Sequence, residues 1–163
     1  MRHIISILLQ NEAGALSRVS NLFSSRGYNI ESLNVAPTDD ATVSRLTLVT
    51  SGSDEIIDQI TKQLAKLVDV VDITDMTGAD HIERELALFK LHLADSASVE
   101  KLLKGFTARV LDDHEGHFTV EVIGGGNEID RFLDHVGGVA RVSSVVRSGA
   151  MAVARGAPTF SRT

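Results

Sequence analysis

The feature that most constrains the fold is an order of strand-like and helix-like segments that occurs twice along the 163 residues. Residues 3–10 form an apolar, β-branched run typical of a buried strand, and residues 14–26 carry apolar side chains at helical spacing. Gly27 follows that segment, as expected of a residue that ends a helix. The rest of the first occurrence is predicted as strand, strand, helix and strand at residues 29–36, 43–49, 53–68 and 70–74.

The same order follows in the second half of the chain. A strand is predicted at residues 83–93, a helix from Ser96, and a final helix capped by Asn127 with Asp130 completing the cap. The other strands are predicted at residues 108–112, 117–123 and 139–147. The sequence therefore predicts an α+β protein of two tandem ferredoxin-like βαββαβ units. We expect the first unit at residues 1–77 and the second at 78–149.

The C-terminal segment differs from the rest in charge. Residues 139–163 contain four arginines and no acidic residue, whereas the whole chain has a net charge of −6. Two interpretations stay open, a basic last strand with a frayed tail or a docking segment for an acidic partner surface. Gly156, Pro158 and the small residues around them predict a poorly ordered, flexible tail at 150–163.

Composition excludes several classes of protein. The chain has no cysteine, which excludes disulfide scaffolds, thiolate zinc sites and cysteine nucleophiles. Apolar residues make up 43% of the chain, yet no apolar run approaches the ~20 residues that span a bilayer. The acidic net charge disfavours a nucleic-acid partner. We therefore expect a cytoplasmic protein that binds neither membrane nor nucleic acid.

No catalytic or nucleotide-binding motif is complete. Gly124–Gly126 lie between a strand and a helix, but the third glycine of a GxGxxG fingerprint would fall at Ile129, so a tight turn is favoured. Asp112–His117 combine two histidines and three carboxylates at a predicted hairpin tip, where polar residues collect in any case, and a metal site there is disfavoured. We expect a binding module with no catalytic residues, no metal and no cofactor of its own.

One segment has the chemistry of a ligand site, the turn that joins the first strand to the first helix. Gly14 allows close backbone approach, and the free N–H groups of the helix that follows suit a small carboxylate. The amide of Asn11 can bind an ammonium or a carboxylate group, and Asn29 offers the same groups from a neighbouring edge. The residues that would contact a short aliphatic side chain are Ala13, Ala15 and Leu16. A pocket for an amino acid and an ordinary helix start stay open as alternatives.

A resemblance to a known family adds to this interpretation. The run LLQNEAGALSRVSNLFSSRGYNIESLNVAPTDD at residues 8–40 is similar to the small subunits of acetolactate (acetohydroxyacid) synthase, whose N-terminal half is an ACT domain. The resemblance is strongest over residues 1–76, and HIERELALFK at 81–90 matches the start of the family's second domain. It implies that residues 1–77 are an effector-binding ACT domain.

The resemblance implies a regulatory subunit without an active site. The family's catalytic subunit is a separate, larger protein that uses thiamine diphosphate, Mg²⁺ and FAD. It condenses two pyruvates, or pyruvate with 2-oxobutyrate, at the first common step of valine, leucine and isoleucine synthesis. The small subunit raises that activity and confers feedback inhibition, usually by valine.

The resemblance also implies homodimers that pair through their ACT domains and bind the effector at the pair interface. Carried over by position, one chain would contact the effector through Asn11, Ala13, Gly14, Ala15 and Leu16, and the other through Asn29 and Ile30. Two alternatives stay open: a stand-alone amino-acid sensor acting on another enzyme or a transcription factor, and a dimerisation module with a vestigial pocket.

Overall fold

The computed structural model describes residues 1–158 and 160, which divide into two compact units. The first unit comprises Met1–Ile82 together with the segment from Ala150 onward, and the second comprises Glu83–Gly149. The division therefore falls after residue 82 and not after residue 77, and the C-terminal segment belongs to the first unit. Both units have the α+β architecture that the sequence predicts.

The first unit follows the order β-α-β-β-α-β. Its elements are β1 (Arg2–Gln10), α1 (Ala15–Ser25), β2 (Ile30–Pro37), β3 (Val43–Ser51), α2 (Asp54–Leu64) and β4 (Val70–Asp75). The sheet is antiparallel in the order β2-β3-β1-β4, so β2 and β4 are its edges. Alternate residues of a strand point to opposite faces, and Ile5, Ile7 and Leu9 of β1 point into the core formed with the two helices. From the helices, the core receives Ala15, Val19, Phe23, Ile57, Ile60 and Leu64.

The second unit repeats this arrangement. Its elements are β5 (His81–His92, which begins two residues before the unit boundary), α3 (Ser96–Leu103), β6 (Ala108–His114), β7 (His117–Gly124), α4 (Gly126–Gly137) and β8 (Arg141–Arg147). The strands lie in the order β6-β7-β5-β8, which matches the first sheet position for position. Ala87, Phe89 and Leu91 alternate into a core that includes Phe132 of α4. The two predicted ferredoxin-like units are therefore confirmed.

The helix caps differ in detail from the prediction. Helix α4 begins at Gly126 after Gly125, so Asn127 lies inside the helix and does not cap it. The carboxylate of Asp130 accepts a hydrogen bond from the guanidinium of Arg147 instead, at 2.7 Å. The spacing of Asn127 and Asp130 could not indicate this contact, because Arg147 is distant from both in sequence.

The C-terminal segment was expected to be a poorly ordered tail, and the structure differs. Residues Met151–Ala154 form strand β9, and Ala150 and Ala152 are buried against Ile4 and Val49. These two residues lie on the sheet face opposite to the helices. Small alanine side chains give a weak strand signal in a sequence, which is why the segment was missed. Residues 159 and 161–163 of the expected tail lie outside the described residues.

A partly buried arginine helps to hold this segment. Arg45 donates hydrogen bonds to the hydroxyl of Ser6 (3.1 Å) and to the carbonyl of Ala152 (3.3 Å). Its guanidinium also lies 5.3 Å from the centre of the Phe160 ring, a cation–π contact. Burial lowers the pKa of Arg45. The C-terminal segment is therefore held by polar as well as apolar contacts.

The aromatic core of the second unit supplies a test of the fold. The Phe132 ring is fully buried and makes edge contacts with Phe89 (4.9 Å between ring centres) and Phe106 (5.1 Å). We expect Phe132→Ala to lower the free energy of unfolding by about 3–5 kcal/mol, because it removes these contacts and leaves a cavity. The adjacent Leu133 is 36% exposed, and Leu133→Ala should cost about 1 kcal/mol or less. Urea unfolding measures both, and equal losses would contradict the burial of Phe132.

Candidate functional site

The turn between β1 and α1 contains a left-handed glycine flanked by exposed side chains. Gly14 precedes the first helical residue and has φ 82°, a left-handed conformation that favours glycine. Around it, Asn11, Ala13 and Leu16 are exposed. A helix leaves its first N–H groups without an intrahelical acceptor, and these groups favour anions. The turn therefore offers exposed polar and apolar groups beside the positive end of a helix.

Asn11 is held by the loop between β2 and β3. Its backbone N–H donates to the carbonyl of Thr42 (2.8 Å), and its side-chain amide donates to the carbonyl of Ala41 (3.0 Å). These bonds orient the side chain and leave its carbonyl oxygen as an acceptor. That oxygen suits the ammonium group of a ligand.

Ala15 is the first residue of α1, and its side chain points inward. Its methyl group is buried in the first core, because Ala15, Val19 and Phe23 are spaced four residues apart on the inward stripe of α1. The N–H of Ala15 donates to the carbonyl of Glu12 at 3.3 Å. Ala15 therefore supports the turn from below, while Leu16 is the exposed apolar side chain beside it.

An ion pair that the sequence did not predict lies directly under the turn. The guanidinium of Arg18 on α1 donates two hydrogen bonds to the carboxylate of Asp69, from Nε at 2.5 Å and from Nη2 at 3.0 Å. The side chain of Asp69 is only 4% exposed, whereas that of Arg18 is 47% exposed. The hydrogen bond from Arg18 holds the pKa of the Asp69 carboxyl below its usual value. In the sequence, Asp69 is an acidic residue between two valines at the start of a predicted strand, and this pattern does not indicate a pairing with Arg18.

Arg18 is also the residue that a side chain at position 14 would contact. A Cβ atom built on Gly14 would lie 3.0 Å from Nη1 of Arg18. An aspartate at position 14 would therefore direct its side chain toward Arg18, where its carboxylate would compete with Asp69.

Asn29 and Ile30 lie at the other end of the same sheet. Ile30 pairs with Thr50, which pairs with His3 near the start of β1, whereas the turn follows Gln10 at its end. At ~3.3 Å per residue, His3 and Gln10 are roughly 23 Å apart along β1. Asn29 is exposed, and Ile30 packs against the first core. One copy of the chain therefore does not bring the two groups of expected site residues together.

The glycine turn of the second unit is filled by acidic side chains. A Cβ on Gly124 would overlap the carboxylate of Glu128, and a carboxylate oxygen of Glu85 lies 3.8 Å from the Cβ position of Gly126. Glu85 itself is buried and forms two hydrogen bonds with Arg147, at 2.8 and 2.9 Å. The Glu85 carboxylate is thus neutralised by Arg147, whose Nη2 also lies 3.9 Å from the Cβ position of Gly126. Side chains of both signs therefore surround this turn, and the interpretation of Gly124–Gly126 as a structural turn stays a prediction.

The residues that the structure describes contain no cluster of three or more potential metal ligands. Of the two histidines of the predicted hairpin, His117 makes a ring contact with His92 of β5, at 4.6 Å between ring centres. Among the described helices, none is long and apolar enough to cross a membrane.

Comparison with known proteins assigns both units. Residues 5–72 match the family model described as "AHAS small subunit-like ACT domain", and residues 84–156 match "Small subunit of acetolactate synthase". The chain belongs to the acetolactate synthase small-subunit family. The ACT domain thus coincides with the first βαββαβ unit, and the turn at Gly14 lies within it.

Relatives of this small-subunit family match along their whole length. The acetolactate synthase isozyme 3 small subunit of Escherichia coli is 44% identical over 158 residues, which are 96% of this chain and 97% of that protein. The acetolactate synthase small subunit of Haemophilus influenzae is 42% identical over 158 residues, with the same coverage. The crystal structure of the Thermotoga maritima small subunit has a TM-score of 0.86 at 31% identity, and covers 96% of this chain and 99% of that one.

The ion pair under the turn gives a pH-dependent prediction. The folded-state pKa of Asp69 is below its ordinary value of 3.8, so the pair contributes fully above about pH 4 and less as pH falls through the folded-state pKa. We expect Asp69→Asn to lower the free energy of unfolding near neutral pH, with the deficit shrinking as pH falls below about 4. Chemical denaturation at a series of pH values measures this difference.

A matched control is Asp58→Asn, which breaks an exposed ion pair with Lys62 on the surface of α2. We expect that variant to change stability little at neutral pH. A neutral-pH loss no larger for Asp69→Asn than for Asp58→Asn would contradict the buried ion pair.

Proposed function

We propose that this chain is the regulatory subunit of an acetolactate synthase. It binds a separate catalytic subunit, raises its activity and confers feedback inhibition by a branched-chain amino acid, with valine as the expected effector. The catalytic subunit supplies thiamine diphosphate, Mg²⁺, FAD and the reaction itself, and this chain supplies regulation. The observation that carries the proposal is the match to proteins named as acetolactate synthase small subunits over 96% of the chain.

The chemistry of the β1–α1 turn supports an amino-acid effector. The start of α1 suits the effector's carboxylate, and the side-chain oxygen of Asn11 suits its ammonium group. Leu16 and Ala13 present apolar surface at the same place, which suits a short branched side chain. These groups are exposed and available without rearrangement of the core.

The sheet register supports a site shared between two copies of the chain. Since Asn29 and Ile30 lie at the opposite end of the sheet from Gly14, they join the turn only if they come from another chain. A two-fold axis beside the edge strand β2 would place the Gly14 end of one sheet beside the Asn29 end of the partner's sheet. We therefore propose a homodimer of ACT domains with two equivalent effector sites.

Feedback follows from linkage between effector binding and the state of the holoenzyme. The effector changes activity only to the extent that it binds the inhibited state more tightly than the active state. A coupling of about 1–3 kcal/mol corresponds to about 5–150-fold in affinity. Reconstitution of the purified chain with an acetolactate synthase catalytic subunit tests the proposal directly. We expect higher activity than with the catalytic subunit alone, and inhibition as valine is added. No change in activity on mixing would refute the proposal.

Gly14→Asp tests the site within that assay. The added carboxylate repels the carboxylate of the effector and competes with Asp69 for Arg18, so we expect loss of valine inhibition and of valine binding by calorimetry. Gly105→Asp is a matched control in the second unit, since Gly105 also has positive φ (86°) with no atom near its Cβ position. It introduces the same charge and similar backbone strain but should keep the response. Unchanged valine affinity in Gly14→Asp would show that the site lies elsewhere.

Mixing two defective variants tests the shared site. Gly14→Asp and Asn29→Ala each damage a different half, so each homodimer should bind valine poorly. In a mixed dimer, one site combines an intact Gly14 from one chain with an intact Asn29 from the other. Co-refolding equal amounts should therefore restore about a quarter of the sites. Calorimetry measures the recovered fraction, and no recovery would indicate that both residues act within one chain.

A further inference from the structure

We infer that Asp69 and Arg18 are positioning residues for the β1–α1 turn. Their ion pair holds the turn in the conformation that binds the effector, and so sets the effector affinity without either carboxylate oxygen of Asp69 contacting the effector. The inference rests on the proposed function, because it concerns the same site.

Asp69 holds both ends of the turn. Its backbone carbonyl accepts a hydrogen bond from the N–H of Gln10, the last residue of β1, at 2.8 Å. Its carboxylate accepts two hydrogen bonds from Arg18 in the second turn of α1. The residues between these anchor points include those through which this turn is proposed to contact the effector. A shift of either anchor would change the relative position of Asn11 and the start of α1.

Arg18 connects the Asp69 carboxylate to Gly14. The backbone N–H of Arg18 donates to the carbonyl of Gly14 at 3.1 Å, and its Nη1 lies 3.0 Å from the position that a Cβ atom of Gly14 would take. The guanidinium thus supports the left-handed glycine on one side. Its orientation is set by Asp69, which binds its Nε and Nη2.

Asp69 is placed to act only through Arg18. Its side chain is 4% exposed, and each of its two carboxylate oxygens is engaged by one nitrogen of the guanidinium. A bidentate arginine–carboxylate pair has a fixed planar geometry. A carboxylate left in this buried place without its partner would be unfavourable. The pair therefore keeps Arg18 in one orientation while the other face of the turn remains exposed.

The second unit offers a matched control. Glu85 and Arg147 form a similar bidentate arrangement, with the Glu85 side chain 6% exposed and the Arg147 side chain 37% exposed, and Arg147 also donates to the exposed Asp130. Breaking either pair removes a charge from a similarly buried carboxylate. Only the Arg18–Asp69 pair lies under the proposed effector turn.

The experiment uses valine as the probe on the reconstituted synthase, with Asp69→Asn, Arg18→Gln and Glu85→Gln in this chain. Each variant is normalised to its own activity without valine. We expect Asp69→Asn and Arg18→Gln to raise the valine concentration for half-inhibition by about tenfold and to similar extents. Glu85→Gln should lower the melting temperature comparably, because it breaks an equivalent pair, yet leave that concentration unchanged.

Amide hydrogen exchange without valine provides a second readout. Faster exchange is expected at residues 11–17 in Asp69→Asn and not in Glu85→Gln, because only the first variant releases the turn. This measurement does not depend on which effector binds. If the wild-type holoenzyme ignored branched-chain amino acids, the proposed function would fail while exchange still decided whether the pair holds the turn.

Three results would overturn the inference. Unchanged valine inhibition and exchange in Asp69→Asn would show that the turn does not depend on the pair. A loss of inhibition in Arg18→Gln alone would mean that Arg18 contacts the effector directly. An equal loss in Glu85→Gln would mean that inhibition responds to stability in general.

Discussion

Each unit depends on one constraint, the need to cover the apolar face of a four-stranded sheet with two helices. In the first unit, Ile5, Ile7 and Leu9 project from β1 into the space filled by α1 and α2. Burial of such side chains is the main favourable term in folding. The helices must therefore cross one face of the sheet, and the chain must turn sharply where β1 ends and α1 begins.

This constraint also explains where the candidate site lies. β1 is a central strand, so the turn that follows it emerges at the middle of the sheet end, while β2 lies at the edge. The first N–H groups of α1 have no acceptor within the helix, because the helix has just begun. The central turn at the start of α1 and the exposed edge strand both result from the way the helices cover the sheet. The proposed function uses both, the turn for the effector and the edge for a second copy.

Most of the fold could be predicted because strand and helix periodicities are local properties of the sequence. The inward stripe of α1 and the alternation in β5 are visible in the residue order alone. Predictions that depended on which residue a given side chain contacts were less accurate. Asn127 is predicted to cap α4 with Asp130 completing the cap, yet Asn127 lies inside the helix and Asp130 accepts a hydrogen bond from Arg147. Both outcomes were decided by which neighbour each residue meets in three dimensions.

The sequence by itself determined the repeated architecture, the glycine turn and the family, because each is written in local pattern or in motif. Only the tertiary structure decided that Asp69 closes an ion pair with Arg18, that residues 151–154 form a strand, and that Asn29 lies far from Gly14. The physical reason is the same in all three cases. These relations join residues that are distant in sequence, and their geometry is set by strand order and register, which no local pattern specifies.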